Sequence, residues 1–209
     1  MRRSIDEVMA VIGQTIINNK QFLTDLDAAI GDGDHGINMA RGFEAVNAKL
    51  QLLGAGKDIG TVLKTVGMTL ISSVGGASGP LYGTAFLRAA SVGLGKYELD
   101  NEAGILMLAA AITGIKERGK AIRGEKTMLD ALEPAYDAFV AGAEEHKPIL
   151  ECLRLACEAA RQGVEFTKTI VATKGRASYL GERSMGHQDP GATSSYLILQ
   201  TLLDYYSQP

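Results

Sequence analysis

Residues 5–17 read IDEVMAVIGQTII, and this stretch carries the pattern that decides the fold class. Its apolar residues return every three or four positions, which is the spacing of one face of an α-helix. They are Ile5, Val8, Met9, Ile12, Ile16 and Ile17. Similar stripes occupy residues 37–53, 58–74, 81–94, 100–116, 128–142, 148–168 and 191–206. Alternating β-branched segments bounded by turns, the pattern of strands, are scarce. The chain is therefore predicted to be all-α, with eight helices and no sheet.

Several residues mark where the predicted helices begin. Pro80 and Pro190 each follow a short polar segment, as expected for a first-turn proline behind a capping residue. Thr127, with Asp130 three residues later, is a weak form of the capping box. No segment repeats with a period of 20–50 residues, and no low-complexity linker divides the chain. We predict a single domain over residues 1–209, an antiparallel eight-helix bundle or barrel.

The composition favours a soluble protein that stays inside the cell. A formal net charge of −3 and a pI near 5.7 lack the basic excess of a nucleic-acid surface. The longest apolar run, residues 105–112, is too short to span a bilayer, and the N-terminus does not read as a signal peptide. Cys152 and Cys157 lie five apart, which suits neither a zinc site nor a disulfide framework. We predict buried, reduced thiols, a cytoplasmic location, and no nucleic-acid or membrane partner.

Glycine is unevenly distributed for a helical chain. Many of the 25 glycines gather in four polar loops: GDGDHG (31–36), GGASGP (75–80), RGKAIRGEKT (118–127) and KGRASYLGERSMGHQDPG (174–191). Glycines before a helix start let backbone N–H groups approach a ligand, and the helix N-terminus favours anions. In an up-down bundle of eight helices, the loops before the second, fourth, sixth and eighth helices lie at one end. The sequence therefore predicts a single site at that end.

Three aspartates surround the first of these loops. Asp32 and Asp34 are separated by one glycine, and Asp27 lies about a turn earlier. Carboxylate oxygens select Mg²⁺, Mn²⁺ or Ca²⁺ over softer metals, and the spacing excludes an EF-hand. The alternative is that Asp32 or Asp34 caps the following helix and Asp27 is solvated. The cluster favours a cation site, and the capping interpretation stays open at this point.

Two glycine motifs in the chain are coincidental. Gly31, Gly33 and Gly36 have the G-x-G-x-x-G spacing of a dinucleotide loop, but no strand precedes them. Residues 114–120 have P-loop spacing but continue into Ala121, where the motif needs a serine or threonine for Mg²⁺. Neither a Rossmann domain nor a P-loop is predicted.

The remaining loops suit a polyphosphate. The loop 174–191 carries Lys174 and Arg176, and basic groups opposite an acidic metal site balance phosphate charge on several sides. The small-residue loop 75–80 fits phosphate or tight helix packing about equally well. His35 and His187 lie in glycine loops, so they are better candidates for ligand contact than His146.

The loops together resemble the nucleotide-binding L subunits of dihydroxyacetone kinases. The matching strings are IGDGDHGIN (30–38), GMTLISSVGGASGPLYGT (67–84), RGKAIRGEKTMLDAL (118–132) and KGRASYLGERSMGHQDPGATS (174–194). They occur in the family's order, and the resemblance covers essentially the whole chain.

The resemblance implies a barrel of eight amphipathic helices that binds ADP or ATP at one end through two Mg²⁺ ions. It implies Asp27, Asp32 and Asp34 as metal ligands, and it implies catalytic roles for Asp32, Asp34 and Arg176. The implied nucleotide contacts are His35, Gly36, Ile37, Asn38, Ala77, Ser78, Gly119, Met128, Arg176, Asp189, Pro190 and Gly191. Thr127, beside Met128 at a predicted helix start, is assigned to the same set.

The resemblance also implies partners and leaves alternatives open. In this family a separate K subunit holds the hydroxyketone, and nothing in the chain looks like it. In one variant ADP stays bound and is rephosphorylated by a phosphohistidine protein (M type) of the phosphotransferase system; in the other, ATP exchanges freely. The first variant is predicted for this chain, and the second is the alternative. A Mg²⁺-dependent phosphohydrolase or a nucleotide-sensing partner of a transcriptional regulator would use similar residues. The hydroxyketone, a homodimer and any regulatory role are left open.

Overall fold

The structure is a computed structural model that describes residues 4–208. All regular secondary structure within that range is helical, as predicted. Its nine α-helices are α1 (Ile5–Asn18), α2 (Lys20–Ile30), α3 (His35–Leu53), α4 (Ile59–Ser73), α5 (Ser78–Gly93), α6 (Asn101–Gly119), α7 (Leu129–Glu144), α8 (Ile149–Thr167) and α9 (Pro190–Ser207). A 3₁₀ helix, Arg176–Ser184, precedes α9.

The sequence prediction missed α2 and the 3₁₀ helix, so its count of eight differs from the nine α-helices among the described residues. The buried positions of α2 are Leu23, Asp27 and Ile30, so a carboxylate occupies one of its three inward positions. A charged residue at an inward position interrupts the apolar stripe by which a helix is recognised in a sequence. Only Ala177 and Ser184 of the 3₁₀ helix are buried, and the helix is interrupted at Gly181, where φ is 56°.

Helix contacts follow the chain. Each helix from α3 to α9 contacts the next one, and α1 contacts both α3 and α9. The short helix α2 also contacts α3 and α9, and only Asn19 separates it from α1. Because α1 and α2 contact the same two helices, α3 and α9, they together take the place of one helix in the bundle. The loops before α3, α5, α7 and α9 therefore lie at one end, as the sequence predicted from a count of eight helices.

Two apolar clusters hold these helices together. The larger one is centred on fully buried residues such as Phe43, Val62 and Leu70, and each such side chain contributes about 1.5–3 kcal/mol by leaving water. The smaller one joins α7, α8 and α9 and includes Cys152 and Cys157. Both cysteines are free and buried, as predicted, and burial raises the pKa of Cys157 to about 12. Among the described residues, no helix is both long and apolar enough to cross a bilayer.

The predicted helix starts are found where the prolines placed them. Pro80 lies in the first turn of α5, and Pro190 is the first residue of α9 behind the cap Asp189. At α7 the Asp130 carboxylate accepts the Thr127 N–H (2.8 Å), which is half of a capping box. The Thr127 hydroxyl accepts the N–H of Leu129 instead of that of Asp130.

Candidate functional site

A cavity of about 440 Å³ lies where the four glycine-rich loops meet. Loops that are up to 160 residues apart in sequence contribute to one wall, because the four of them lie at the same end of the bundle. The lining includes all but three of the predicted site residues: Asp27, Asp32, Asp34, His35, Ala77, Ser78, Gly119, Thr127, Met128, Arg176, Asp189, Pro190 and Gly191.

The three remaining predicted contacts, Gly36, Ile37 and Asn38, do not line the cavity. Gly36 packs against α2, where an added Cβ would lie 2.6 Å from the Thr24 nitrogen. Ile37 is exposed, and the Asn38 side-chain oxygen accepts a hydrogen bond from Arg41 (2.8 Å). Their contact with a nucleotide stays a prediction.

His187 also lies away from this cavity. It lines a smaller cavity of about 280 Å³ together with Phe22 and Lys168. Its selection as a ligand-contact residue rested on its position in a glycine loop, and the loop turns it away from the main cavity.

The aspartate cluster combines a helix cap with an open set of oxygens. Asp27 Oδ2 accepts the backbone N–H groups of Asp34 (2.8 Å) and His35 (3.1 Å), and so caps α3. Asp27 Oδ1 lies against Gly31, where an added Cβ would overlap it. One carboxylate oxygen from each of Asp27, Asp32 and Asp34 lies within 4.8 Å of the others. The predicted alternative, with Asp32 or Asp34 as the cap and Asp27 solvated, is therefore wrong, since Asp27 is buried and is itself the cap. The three hard oxygen donors fit a divalent cation.

The cluster is joined to the last loop by an ion pair. Arg176 Nε lies 2.8 Å from Asp32 Oδ2, with the two side chains 69% and 38% exposed. An exposed pair of this kind contributes at most about 1 kcal/mol to folding. Its importance is positional, because it puts a guanidinium directly beside the carboxylates.

His35 connects three of the helices around the cavity. Its Nδ1 lies 2.9 Å from Ser78 Oγ at the start of α5, and its Nε2 lies 2.9 Å from Ser194 Oγ in α9. Burial lowers the pKa of His35 to about 4, against the opposing effect of the nearby Asp27 carboxylate. The imidazole is therefore neutral near pH 7 and serves as a hydrogen-bonding link.

Among the helix starts at the cavity, that of α5, at Ala77, has no side-chain cap within the described part of the chain. At α7 the N-cap Met128 has none, but the Thr127 hydroxyl accepts the N–H of Leu129 (3.2 Å). Uncapped N–H groups at a helix start favour an anion, since the helix dipole is positive there. The start of α9 differs, because Asp189 Oδ2 accepts the Ala192 N–H (2.7 Å).

Lys126 is a cavity residue that the sequence reasoning missed. Its side chain is 1% exposed, and its ammonium group donates to the backbone carbonyls of Thr167 and His187. Desolvation lowers the pKa of Lys126, while Asp189 and Asp130 oppose that shift. A lysine between Glu125 and Thr127 in a polar loop has the sequence environment of a solvated residue, so nothing in the local pattern indicates that it is buried. Through its bond to the His187 carbonyl, Lys126 links the loop 118–127 to the loop 174–191.

The buried carboxyl group of Asp189 makes the stability of the nucleotide-free protein depend on pH. Desolvation raises the pKa of Asp189 to about 7; Asp130 and Asp27 add to the shift, while the Ala192 N–H and Lys126 oppose it. Between about pH 4 and pH 7 the folded state keeps a proton that the unfolded chain loses. This group therefore stabilises the fold least above pH 7 and most below pH 4.

We expect Asp189→Asn to remove that dependence, because asparagine keeps the capping oxygen and cannot ionise. Denaturant unfolding of the metal- and nucleotide-free proteins should show the wild type losing stability relative to the variant. The slope should approach about 1.4 kcal/mol per pH unit within the window and should vanish above it. Parallel stability curves for the two proteins would contradict the assignment.

The fold and the cavity define the class of protein, which is an all-helical domain with carboxylates and helix N-termini around one cavity. The family follows from the sequence, since residues 29–204 match the DAK2 domain. The chain belongs to the DAK2 domain family.

Named relatives share nearly the whole chain. It is 47% identical over 190 residues to the ADP-binding subunit DhaL of the PEP-dependent dihydroxyacetone kinase of Escherichia coli (strain K12), covering 91% of this chain and 90% of the relative. It is also 47% identical over 191 residues to the corresponding subunit of kinase 1 of Listeria innocua, with the same coverage of 91% and 90%.

A solved structure has the same fold. The dihydroxyacetone kinase of C. freundii in its native form superimposes with a TM-score of 0.72 at 25% identity. The match covers 96% of this chain and 34% of the other, so this chain corresponds to about a third of that kinase.

Proposed function

We propose that the chain is the ADP-binding subunit of a PEP-dependent dihydroxyacetone kinase. The observation that carries the proposal is the cavity, in which a carboxylate cluster, the uncapped N-terminus of α5 and a guanidinium surround one space. Identity of 47% over 91% of the chain to subunits so named supports it. In this proposal ADP stays bound as a cofactor, and a phosphohistidine protein of the phosphotransferase system restores ATP.

Asp27, Asp32 and Asp34 would hold two Mg²⁺ ions against the phosphate oxygens of the nucleotide. Bound Mg²⁺ would supply charge neutralisation as the phosphoryl group leaves. The free N–H groups at the start of α5, beside Ala77, would donate hydrogen bonds to phosphate oxygens, and the start of α7 at Met128 would add its helix dipole.

Arg176 carries the catalytic part of the proposal. Its guanidinium stabilises the negative charge that develops during transfer, and its ion pair with Asp32 places it beside the metal ligands. The chain needs no covalent nucleophile of its own. Its residues bind the nucleotide, orient it and compensate its charge.

The phosphoryl acceptor is dihydroxyacetone, held on a separate K subunit. One alternative is the L subunit of an ATP-dependent hydroxyketone kinase, in which the same cavity exchanges ATP freely. A second is a Mg²⁺-dependent phosphohydrolase, which the aspartate cluster would also serve.

A reconstituted transfer assay separates these functions. The chain is supplied with Mg²⁺, ATP and dihydroxyacetone, with and without a K subunit, and phosphorylated product and free phosphate are measured. We expect product only with the K subunit and almost no phosphate release without it. Rapid release of phosphate by the chain alone would identify a phosphohydrolase instead.

The donor is tested by adding phosphoenolpyruvate and the phosphotransferase proteins to the chain loaded with one equivalent of ADP. Many turnovers from that single ADP would support the relay. Turnover that requires a continuing supply of free ATP would identify the ATP-dependent kinase.

A further inference from the structure

Tyr82 is a buried residue in the cavity wall to which the proposed chemistry gives no role. It lies in α5 with 4% of its surface exposed. Its hydroxyl lies 3.0 Å from the Gly191 carbonyl, 2.7 Å from Ser194 Oγ and 2.8 Å from Ser195 Oγ. One phenol therefore contacts three groups in the first two turns of α9.

The protons in this network can be counted. Tyr82 has one proton, and the Gly191 carbonyl can only accept, so Tyr82 donates to Gly191. Ser195 can donate its proton to the Tyr82 oxygen. The Ser194 hydroxyl, which lies 2.7 Å from Tyr82, can also donate to the backbone carbonyls of Pro190 (3.0 Å) and Gly191 (3.2 Å). Burial raises the pKa of Tyr82 to about 12, so the phenol keeps its proton.

The network continues to two other helix starts. With the Ser194 proton given to a carbonyl or to Tyr82, Ser194 Oγ is an acceptor for the Nε2–H of His35, and in that tautomer His35 Nδ1 accepts the hydroxyl proton of Ser78. His35 is the first residue of α3 and Ser78 the first of α5. The chain of bonds therefore joins the N-termini of α3, α5 and α9.

The bond to Gly191 has a further effect on the start of α9. The carbonyl of Gly191 and the N–H of Ala192 belong to one peptide group. Tyr82 holds its oxygen, and Asp189 Oδ2 holds its N–H (2.7 Å). The peptide plane is therefore fixed on both sides, directly beside the cavity.

We propose that Tyr82 is a positioning residue, which sets the N-terminus of α9, with the predicted nucleotide contacts Pro190 and Gly191, against those of α3 and α5 at the spacing that a bound nucleotide requires. The inference rests on the proposed nucleotide site and identifies a residue of the cavity wall that acts on that site through α9. Tyr82 acts through Gly191 and Ser194 and needs no contact with the ligand. Loss of its hydroxyl leaves the ring in place, so the helix packing persists while the spacing of the helix starts relaxes.

The test compares Tyr82→Phe with Tyr196→Phe. Tyr196 lies in α9, its hydroxyl donates to Gln200 Oε1 (3.3 Å), and the residue does not line the cavity. Binding of ADP with Mg²⁺ is measured by titration calorimetry on each folded protein. We expect Tyr82→Phe to weaken binding at least about tenfold, which is 1.4 kcal/mol, and Tyr196→Phe to change it less than twofold.

Ser194→Ala provides a second variant and a coupling test. It breaks the same chain of bonds between Tyr82 and His35, so it should weaken ADP binding as well. The double variant with Tyr82→Phe should lose much less affinity than the product of the two single losses, because one network is broken in both. A structural role alone would lower the unfolding temperature of the nucleotide-free protein and leave affinity unchanged.

The outcomes are separable. Wild-type protein that fails to bind ADP with Mg²⁺ would overturn the proposed function. Wild-type binding with unchanged affinity in both Tyr82→Phe and Ser194→Ala would overturn only the positioning role. If Tyr82→Phe fails to fold, unchanged affinity in Ser194→Ala alone overturns it, and a loss of at least tenfold supports it.

Discussion

Replacing Asp32 with alanine should abolish retention of the nucleotide and, with it, phosphoryl transfer. The carboxylate is one of three whose oxygens lie within 4.8 Å of one another, and it is also the partner of Arg176. Loss of groups that merely support a metal ligand costs about 10–100-fold in affinity, so loss of a direct ligand should cost at least about 100-fold. Calorimetric titration with ADP and Mg²⁺ measures this directly.

The matched control for Asp32→Ala is Asp25→Ala. Asp25 is an exposed carboxylate of α2 whose side chain pairs with Gln21 (2.7 Å) and does not line the cavity. Both variants should unfold within about 1 kcal/mol of the wild type, because the groups removed are exposed. An Asp32→Ala protein that still held nucleotide and Mg²⁺ at the wild-type level would refute the metal assignment.

Replacing Arg176 should separate transfer from binding. We expect Arg176→Ala to lower the rate of phosphoryl transfer about a thousandfold, the lower end of the effect known for arginines that stabilise phosphoryl transfer. Affinity for ADP with Mg²⁺ should change less than tenfold, because the guanidinium acts mainly on charge that develops during the reaction. Single-turnover transfer to the K subunit gives the rate, and calorimetry gives the affinity.

Two further variants sharpen the Arg176 result. Arg176→Lys should recover little of the rate, since an ammonium group lacks the planar, forked geometry of guanidinium. Arg183→Ala removes an exposed arginine from the same 3₁₀ helix, outside the cavity, and should transfer at the wild-type rate. Equal losses of rate in Arg176→Ala and Arg183→Ala would mean that general surface charge, and not Arg176, is responsible.

Much of the fold could be predicted because helical periodicity is a local signal. The bounds of the first and last helices, Ile5–Asn18 and Pro190–Ser207, nearly coincide with the apolar stripes 5–17 and 191–206 that predicted them. Helix α2 escaped detection because Asp27 takes a position that would otherwise be apolar. The residue that hid the helix is thus the one that caps α3 and joins the carboxylate cluster.

The candidate site could be predicted only in part. Glycine loops and clustered aspartates are visible in sequence, and alternation of chain ends predicted that the loops meet. Contacts between distant helices leave no such pattern: the bond between His35 and Ser194 spans 159 residues, and that between Tyr82 and Gly191 spans 109. A buried lysine such as Lys126 cannot be told from a surface lysine in the sequence, and its burial is seen only in the fold.

If the four loops form a site for one nucleotide held through divalent cations, the purified chain should gain a defined mass on binding. Native mass spectrometry before and after dialysis against ADP with Mg²⁺ measures that gain. We expect one adduct with the mass of ADP and two Mg²⁺ ions in the wild type, absent in Asp32→Ala. A wild-type chain that gains no such mass under saturating ADP and Mg²⁺ would show that the loops do not form this site.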